Sequence, residues 1–353
     1  MIKNLKIFLF LMLSLLFVEL TLAEEVKIKI GYVTDLTGKG ATIGTQSIYG
    51  AKIAVKELSK EGYSIELFVE DSRMDTNQGI SATNFLINNK NVDVIFSDFT
   101  PISAAIASAV KTGNKLFVFQ SPAKSILNTW QYGFRTFLDY TDGCRQLARY
   151  FKKKGYNNIG MLKINMEFGE RCLMGAKEIY PKLKEFEHSS GEDLRTAILT
   201  FKNAKLPAYI QMGFEPDALN RISAARQYAY NVPVGTVEAI ITDQVREKGG
   251  DYVNGNIVFS FSHVSENFIN KFLEENPKRT RSNIESAALA YMHIRQVVKA
   301  WTGCPDHNLP CLSENLSKSP PDDIIGFRGW KDREAIFNMG LKQIMSSGLN
   351  LID

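Results

Sequence analysis

The sequence VDVIFSDFTPISAAIASAV, residues 92–110, contains a short apolar strand followed at once by a helix rich in alanine. Val92 to Phe96 form the apolar run, and Thr100 stands where a helix N-cap belongs, with Pro101 at the first helical position. A strand that leads directly into a helix start leaves free backbone N–H groups beyond its carboxyl end. The segment therefore predicts one strand–helix unit of an α/β fold, with hydrogen-bond donors at its end.

The same strand–helix pattern repeats on both sides of this segment. Upstream, the apolar runs VKIKIGYV and SIELFVED read as strands, and a helix follows each of them. Downstream, the runs that read as strands are KLFVF, NNIGMLKI, PAYIQMG, VPVGTVE and GNIVFSF, with helices beginning near Asp142, Phe168, Pro216 and Ile240. Regular alternation of this kind predicts doubly wound parallel sheets with helices on both faces. Ligands of such sheets bind beyond the carboxyl ends of the strands.

Composition indicates a soluble globular protein with room for two domains. The chain has 353 residues, of which 44% are hydrophobic and 23% charged. The formal net charge is only +4, and the basic residues are scattered along the chain. No basic face with interleaved aromatic residues is evident, so a nucleic-acid partner is not expected.

The N-terminal segment, residues 1–23, has the pattern of a secretory signal peptide. Lys3 and Lys6 precede an apolar run over residues 7–18, and small residues lead to a cleavage site after Ala23. A membrane anchor is the alternative, but the run is shorter than a bilayer-spanning helix requires. We therefore expect an exported protein located in the periplasm.

Four cysteines in an exported chain favour disulfide pairing. Cys304 and Cys311 enclose the short loop PDHNLP, which predicts a local bridge. His307 lies inside that loop, but two cysteines and one histidine do not have the spacing of a zinc site, and no metal is expected. Cys144 and Cys172 lie near predicted helix starts and are candidates for a second bridge, with two free buried thiols as the alternative.

The glycine-rich loop GKGATIG does not have the spacing of a nucleotide-binding loop. Its pattern is Gly38-x-Gly40-x-x-x-Gly44, one residue longer than GxGxxG, and no Walker sequence is present. We predict a tight turn before a helix rather than a phosphate cradle, and no cofactor. GxSxG and HExxH are also absent from the sequence, so nothing in it favours an enzyme.

Taken in order, the loops after the strands resemble those of a known family. The stretches IKIGYVTDLTGKGATIG, VIFSDFTPISAAIA, QSPAKS, NMEFGERCLMGAKEI and MGFEPDALNRISAARQYAYNVPVGTVEAI carry the resemblance, which extends from about residue 26 to about residue 261. They are similar to the type I periplasmic binding proteins, and within them to the leucine/isoleucine/valine-binding group that serves ABC importers. No single motif is specific, but six loops match in register.

The resemblance implies two α/β lobes of the Venus-flytrap kind, joined by three hinge crossings near residues 138–141, 260–263 and 323–328. The first lobe would comprise residues 24–139 and 263–324. The second lobe would comprise residues 140–262 and 325–353. A ligand would be clamped between the two.

The resemblance also implies a binding site for the α-carboxylate of an amino acid. The hydroxyl of Thr100 and the N–H groups of Ile102 and Ser103 would hold it at the helix start, where the dipole is positive. The carbonyl of Ala123 and the hydroxyl of Ser125 would meet the ammonium and the carboxylate. Thr100 could alternatively cap its own helix and nothing more.

Glu238 falls where the family places the acid that pairs with the ligand's ammonium, although it could simply be a first-turn residue favoured by the helix dipole. Phe168 and Phe214 stand where this group usually has tyrosines, and Ile43 stands where an aromatic often lines the side-chain pocket. These aromatics could form the pocket wall or plain core. Lys124 replaces a small residue and could face solvent or a second anionic group on the ligand.

Together these features predict a monomeric receptor that binds an amino acid with an apolar side chain, closes around it and delivers it to a membrane permease. Hinge closure of this kind needs no covalent chemistry. The alternative is a receptor for an amide, urea or small carboxylate that acts in sensing rather than transport. The sequence alone does not choose between transport and sensing.

Overall fold

The computed structural model describes residues 27–281, 283–346 and 348–352, so the predicted signal peptide lies outside the described residues. The strands are β1 (Lys27–Thr34), β2 (Ser64–Asp71), β3 (Val94–Asp98), β4 (Leu116–Gln120), β5 (Gly133–Arg135), β6 (Gly160–Ile164), β7 (Lys184–His188), β8 (Tyr209–Gln211), β9 (Val234–Val237), β10 (Ile257–Phe261), β11 (Phe327–Lys331), β12 (Glu334–Phe337), β13 (Met339–Met345) and β14 (Gly348–Ile352). The α-helices are α1 (Ala41–Lys60), α2 (Thr76–Asn88), α3 (Thr100–Thr112), α4 (Tyr140–Lys153), α5 (Glu167–Lys177), α6 (Arg195–Asn203), α7 (Glu215–Gln227), α8 (Asp243–Gly249), α9 (Glu266–Glu275), α10 (Ile284–Thr302) and α11 (Leu309–Ser317). Short 3₁₀ turns span Ser125–Asn128, Glu238–Ile240 and Gly250–Tyr252.

The strands form two sheets with the same internal order. The first sheet has the order β11-β12-β5-β4-β3-β1-β2, and the second has β14-β13-β10-β9-β8-β6-β7. In each, five parallel strands are wound in the order 2-1-3-4-5, and an antiparallel hairpin completes one edge. The predicted fold class, two doubly wound α/β lobes, is confirmed.

Residues 92–110 form the predicted strand–helix unit at the centre of the first sheet. All five residues of β3 are buried between β1 and β4, as is typical of a central strand in a parallel sheet. The helix begins one residue earlier than predicted, because Phe99 occupies the N-cap position with a left-handed φ of 67°. Thr100 is therefore not the cap, and its Oγ1 lies 2.8 Å from Ser121 Oγ.

The chain passes between the sheets three times. The first two crossings lie between β5 and α4, at residues 136–139, and between β10 and α9, at residues 262–265. The third lies at Asn338, between β12 and β13. The crossing was expected at residues 323–328, with all of residues 325–353 in the second lobe. This expectation is wrong for β11 and β12, because both strands belong to the first sheet, beside β5.

Aromatic packing explains why β11 and β12 stay with the first lobe. The rings of Phe327 and Phe337 lie 5.8 Å apart, and His293 of α10 lies 5.4 Å from Trp330. This hairpin buries its aromatic face against α10, a helix of the first lobe. Moving the hairpin to the second sheet would expose this apolar face to water and lose the free energy that its burial contributes.

Both predicted disulfides are present. Cys144–Cys172 joins α4 to α5 with a Cα–Cα distance of 5.1 Å, and Cys304–Cys311 closes the loop before α11 with 5.8 Å. His307 of that loop stacks on Trp301 with ring centres 4.2 Å apart. Among the described residues, no cluster of histidine, cysteine and carboxylate side chains has the arrangement of a metal site, and no helix is both long and apolar enough to cross a bilayer.

The glycine loop after β1 forms a turn around a carboxylate. The N–H groups of Gly38 and Gly40 both donate to the side chain of Asp35. At Gly44, an added Cβ would lie 2.2 Å from the carbonyl oxygen of Asp35, so α1 can approach the strand end only with glycine there. These amides serve the turn rather than a phosphate, in agreement with the predicted tight turn.

Candidate ligand-binding cleft

The carboxyl ends of the two sheets face each other and enclose a cavity of about 320 Å³. It lies beyond the points where strand order reverses, between β1 and β3 in one lobe and between β6 and β8 in the other, where doubly wound sheets bind ligands. Its apolar lining consists of Ile43, Met74, Phe99, Pro101, Pro122, Phe137, Tyr140, Met166, Phe168, Phe214, Pro216, Ala239 and Ile240. Its polar lining consists of Lys39, Gly40, Thr42, Asp98, Thr100, Gln120, Ser190, Gly213, Glu215, Thr242 and Ser286.

Four aromatic rings form a continuous wall on the second-lobe side. Phe137 of the first crossing lies 6.0 Å from Tyr140, which lies 5.7 Å from Phe168, which lies 5.7 Å from Phe214. The last two contacts are edge-to-face, the favourable geometry for aromatic pairs. The wall is held by packing, so it presents a preformed apolar surface to the cavity.

The start of α3 supplies the positive end of the cavity. Thr100 and Pro101 line it, and no described hydrogen bond uses the N–H of Thr100 or of Ile102. Unpaired amides at the start of a 13-residue helix, together with the helix dipole, favour an anion. This end of the cavity is therefore suited to a carboxylate.

Asp98 is a buried carboxylate in the cavity wall. Its oxygens accept hydrogen bonds from the hydroxyl of Tyr32 at 3.0 Å and from Oγ1 of Thr34 at 2.6 Å. Burial raises the pKa of Asp98 to about 6, although these hydrogen bonds oppose the rise. Because its oxygens are already engaged within the lobe, Asp98 has little remaining capacity for a ligand's ammonium.

Four of the eight residues predicted to bind ligand line the cavity, namely Ile43, Thr100, Phe168 and Phe214. Ser103 and Ala123 are buried and do not. The N–H of Ser103 donates to the carbonyl of Phe99, and its Oγ lies 2.7 Å from Ser97 Oγ. Ala123 donates its N–H to Ser121 Oγ at 3.1 Å. The N–H of Ser103 is therefore not available to a ligand in this structure, whereas the ligand contact expected of the Ala123 carbonyl stays a prediction.

Ser125 also lies outside the cavity, at a contact with the other lobe. Its hydroxyl donates to Glu167, the first residue of α5, and the amides of Lys124 and Ser125 donate to the same carboxylate. The lobes also touch at Asp243 and Thr280, whose side-chain oxygens lie 2.8 Å apart. Contacts at both of these places hold the lobes together across the cleft in a closed arrangement.

Glu238, which was expected to pair with a ligand's ammonium, has a partner within its own lobe in this structure. Its Oε2 accepts a hydrogen bond from Nζ of Lys342 at 2.9 Å, and it does not line the cavity, although its neighbours Ala239 and Ile240 do. The lysine lies 104 residues away on β13, so no local pattern could have revealed it. The partner of Glu238 in this structure is Lys342 rather than a ligand.

Lys124 has partners that the sequence did not suggest. Its Nζ lies 2.9 Å from Asp139 at the first crossing and 3.0 Å from Glu334 of β12. Burial would raise the pKa of Asp139, but its hydrogen bond to Lys124 and the charges of Lys124 and Arg171 outweigh burial and hold that pKa well below its usual range. Lys124 therefore belongs to the hinge.

Several cavity residues escaped the sequence analysis. Phe99, Gln120, Phe137 and Tyr140 are the clearest, since each lies at or just beyond a strand end or at or next to a crossing. Position after a strand end is the signal that could have identified them. Their side-chain directions depend on backbone angles, such as the left-handed φ of Phe99, which the sequence does not display.

Comparisons with known proteins agree with this architecture. A leucine-binding protein from Thermotoga maritima superimposes with a TM-score of 0.82 at 16% identity, over 92% of this chain and 98% of that one. An ABC-transporter solute-binding protein from Rhodopseudomonas palustris in complex with 3,4-dihydroxybenzoic acid gives 0.81 at 18% identity, over 92% and 96%. A branched-chain amino acid transporter substrate-binding protein from Streptococcus pneumoniae in complex with isoleucine gives 0.81 at 18%, over 92% and 99%.

At these identities the superpositions establish the fold alone. No curated protein sequence matches this chain. The family model described as periplasmic binding protein, however, matches residues 27–348, which is nearly the whole described chain. With its two-lobed fold and its cleft between the lobes, the chain belongs to the periplasmic binding protein family.

Proposed function

We propose that this protein is the exported solute-binding component of an ABC importer, and that its cleft binds a small carboxylate with an apolar body and delivers it to the permease. The observation that carries this proposal is a closed cavity with unpaired amides at the start of α3 on one side and a wall of aromatic rings on the other. An anionic head and an apolar body match these two ends. Family membership supports the role in solute binding and the periplasmic location.

The cavity size and lining favour a small ligand. About 320 Å³ lies at the low end of small-molecule pockets. Burial of about 150 Å² of apolar ligand surface contributes roughly 4 kcal/mol at about 25 cal/mol per Å². A helix N-terminus adds up to about 2 kcal/mol for an anion that is partly buried. Apolar contact therefore contributes most of the affinity, and the carboxylate sets the orientation.

The proposed class includes aromatic carboxylates and α-amino acids with apolar side chains. An amino acid also offers a carboxylate and an apolar body, but its ammonium would need an acceptor other than Glu238, which is paired with Lys342. Ligands without an ammonium meet no such requirement. The superimposed protein from Rhodopseudomonas palustris is in complex with an aromatic carboxylate, which has no ammonium. The one from Streptococcus pneumoniae is in complex with isoleucine, which has one.

The experiment that tests the proposal is a thermal-shift screen of the mature chain, residues 24–353. The panel is benzoate, 4-hydroxybenzoate, L-leucine and L-isoleucine, each beside its uncharged amide. A ligand at 100 times its dissociation constant adds about 2.7 kcal/mol to the free energy of unfolding. We expect at least one carboxylate to raise the melting temperature and its amide not to. A shift with amides alone would contradict the carboxylate assignment.

Binding without chemical change is the second part of the proposal. Incubation with a hit from the screen, followed by mass spectrometry of the released ligand, should return it unaltered. Conversion of the ligand would instead indicate an enzyme. Whether the closed form engages a permease or a sensory receptor is tested by co-purification with a membrane component of each kind.

A further inference from the structure

The two lobes are joined at one rim of the cleft by a single carboxylate. Oε1 of Glu167, the first residue of α5, accepts the N–H of Lys124 at 2.8 Å and the N–H of Ser125 at 3.3 Å. Oε2 of the same side chain accepts the hydroxyl of Ser125. Three donors of the first lobe thus converge on one anionic group of the second.

The N–H groups of Lys124 and Ser125 and the hydroxyl of Ser125 form a binding site for an anion, which we name the cradle. Successive amides at the start of a short 3₁₀ turn, Ser125–Asn128, point at one oxygen, and a hydroxyl points at the other. The family resemblance implies that the Ser125 hydroxyl of this cradle binds the carboxylate of a ligand. In the closed structure a side chain of the protein occupies it.

The cradle loop is held in place independently of Glu167. The amine of Lys124 is fixed by Asp139 and Glu334 at the hinge, so its backbone amide is already oriented toward the cleft. Glu167 lies at the N-terminus of its own helix, where the dipole favours a negative charge. Both halves of the contact are therefore preorganised before the lobes meet.

We propose that Glu167 is a latch that stabilises the closed cleft by filling the cradle of Lys124 and Ser125, so that a ligand's carboxylate binds at α3 and not at this second site. The part that concerns the ligand rests on the proposed function, whereas the latch itself does not. Phe168, the next residue, belongs to the aromatic wall, so latching also brings that wall against the cavity. Glu167 acts on the ligand only through this positioning.

The latch is tested on the ligand-free protein by the distance between the lobes. Spin labels at Asn77 and Lys182, both exposed and one in each lobe, report that distance in double electron–electron resonance. We expect E167A to lower the closed-to-open ratio about tenfold or more, because charge-assisted hydrogen bonds are lost. E167Q keeps an acceptor oxygen and should recover part of the closed population.

The matched control is E170A, in the same turn of the same helix. Glu170 pairs with Lys163 inside the second lobe, and Lys163 keeps Glu187 as another partner at 2.5 Å. E170A should leave the distance distribution unchanged. S125A is a second variant, on the other lobe, and should open the cleft by a smaller factor than E167A.

Equal distance distributions for wild type, E167A and S125A would overturn the latch, as would equal opening by E167A and E170A. A flat ligand screen combined with opening by E167A would instead leave the latch standing and reject the proposed ligand class. If the screen finds a carboxylate, its affinity should fall in E167A by the same factor as the closed fraction of the ligand-free protein. Stronger binding in E167A would show that the ligand competes for the cradle, and would overturn the single-site assignment.

Discussion

Glu238, which directly follows β9, is paired with Lys342 of β13, because Oε2 of the glutamate accepts a hydrogen bond from Nζ of the lysine at 2.9 Å. Both side chains are mostly buried, with exposed fractions of 16% and 13%. The charges of this pair also act on Glu285 at the start of α10, since Glu238 acts to raise the pKa of Glu285 and Lys342 acts to lower it. The residue expected to hold a ligand's ammonium thus already has a cationic partner in its own lobe.

The surroundings of Glu285 predict a pH-dependent stability. Burial, and then the charge of Glu238, raise the pKa of Glu285 from 4.5 to about 8. A raised pKa in the folded state gives a stabilisation that is full below pH 4.5 and is lost as pH rises through about 8. Between pH 5 and pH 8, the free energy of unfolding of wild type should fall relative to that of E285Q by at least about 1 kcal/mol. Urea unfolding of both proteins across this range measures it, and parallel curves would contradict a raised pKa of Glu285.

The ion pair of Glu238 with Lys342 predicts coupled losses of stability. E238Q keeps the size of the side chain but loses its charge, and K342M removes the other partner. Each single change leaves one half-buried charge uncompensated, so the double variant should be destabilised by less than the sum of the two. We expect a coupling of about 1–3 kcal/mol in a urea double-mutant cycle. Additive losses would show that the pair is not formed in solution.

If Glu238 does not contact the ligand, E238Q should bind a carboxylate hit from the screen with nearly wild-type affinity. The physical reason is that its side chain is directed to Lys342 and away from the cavity lining. Isothermal titration calorimetry at pH 6, where Glu285 keeps its proton, is the measurement. A loss of more than about tenfold would restore the original assignment of Glu238 to a ligand's ammonium.

The aromatic wall predicts a loss of affinity in F214A. Phe214 is half-buried and lines the cavity, so its removal deletes ligand contacts while leaving most of the core intact. The dissociation constant of a hit should rise about 10- to 100-fold, corresponding to about 1.5–3 kcal/mol of lost apolar contact. The matched control is F85A on α2, because Phe85 is 40% exposed and does not line the cavity. Equal affinities of F214A and F85A would place the ligand elsewhere.

The two disulfides are expected to differ in their contribution to stability. Cys144–Cys172 closes a loop of 28 residues and Cys304–Cys311 a loop of 7. Chain entropy predicts about 3.6 kcal/mol for the first bridge and about 2.4 kcal/mol for the second. Urea unfolding of C144A/C172A and of C304A/C311A, both without reductant, should show the larger loss in the first. The reverse order would mean that packing around the cysteines outweighs loop entropy.

The sequence predicted features that depend on near neighbours along the chain. Apolar runs of five residues, followed by helical spacing, predicted β3, β4, β6 and β10 to within a few residues. Short polar or charged strands such as β7 were missed, since KEFEH has little apolar signal. The four C-terminal strands, β11 to β14, were missed as well. Their assignment to two different sheets follows from pairing with strands far back in the chain.

The sequence by itself determined the α/β alternation, the local Cys304–Cys311 bridge and the loops from which the cleft is built. These are local properties, because a strand or a helix is specified by spacing within about ten residues. Tertiary structure alone decided that Cys144 meets Cys172, that Glu238 meets Lys342, that Ser125 meets Glu167, and that the last crossing lies at Asn338. Such partners are fixed by the approach of distant segments, and the free energy of burying and pairing a charge depends on every group that surrounds it.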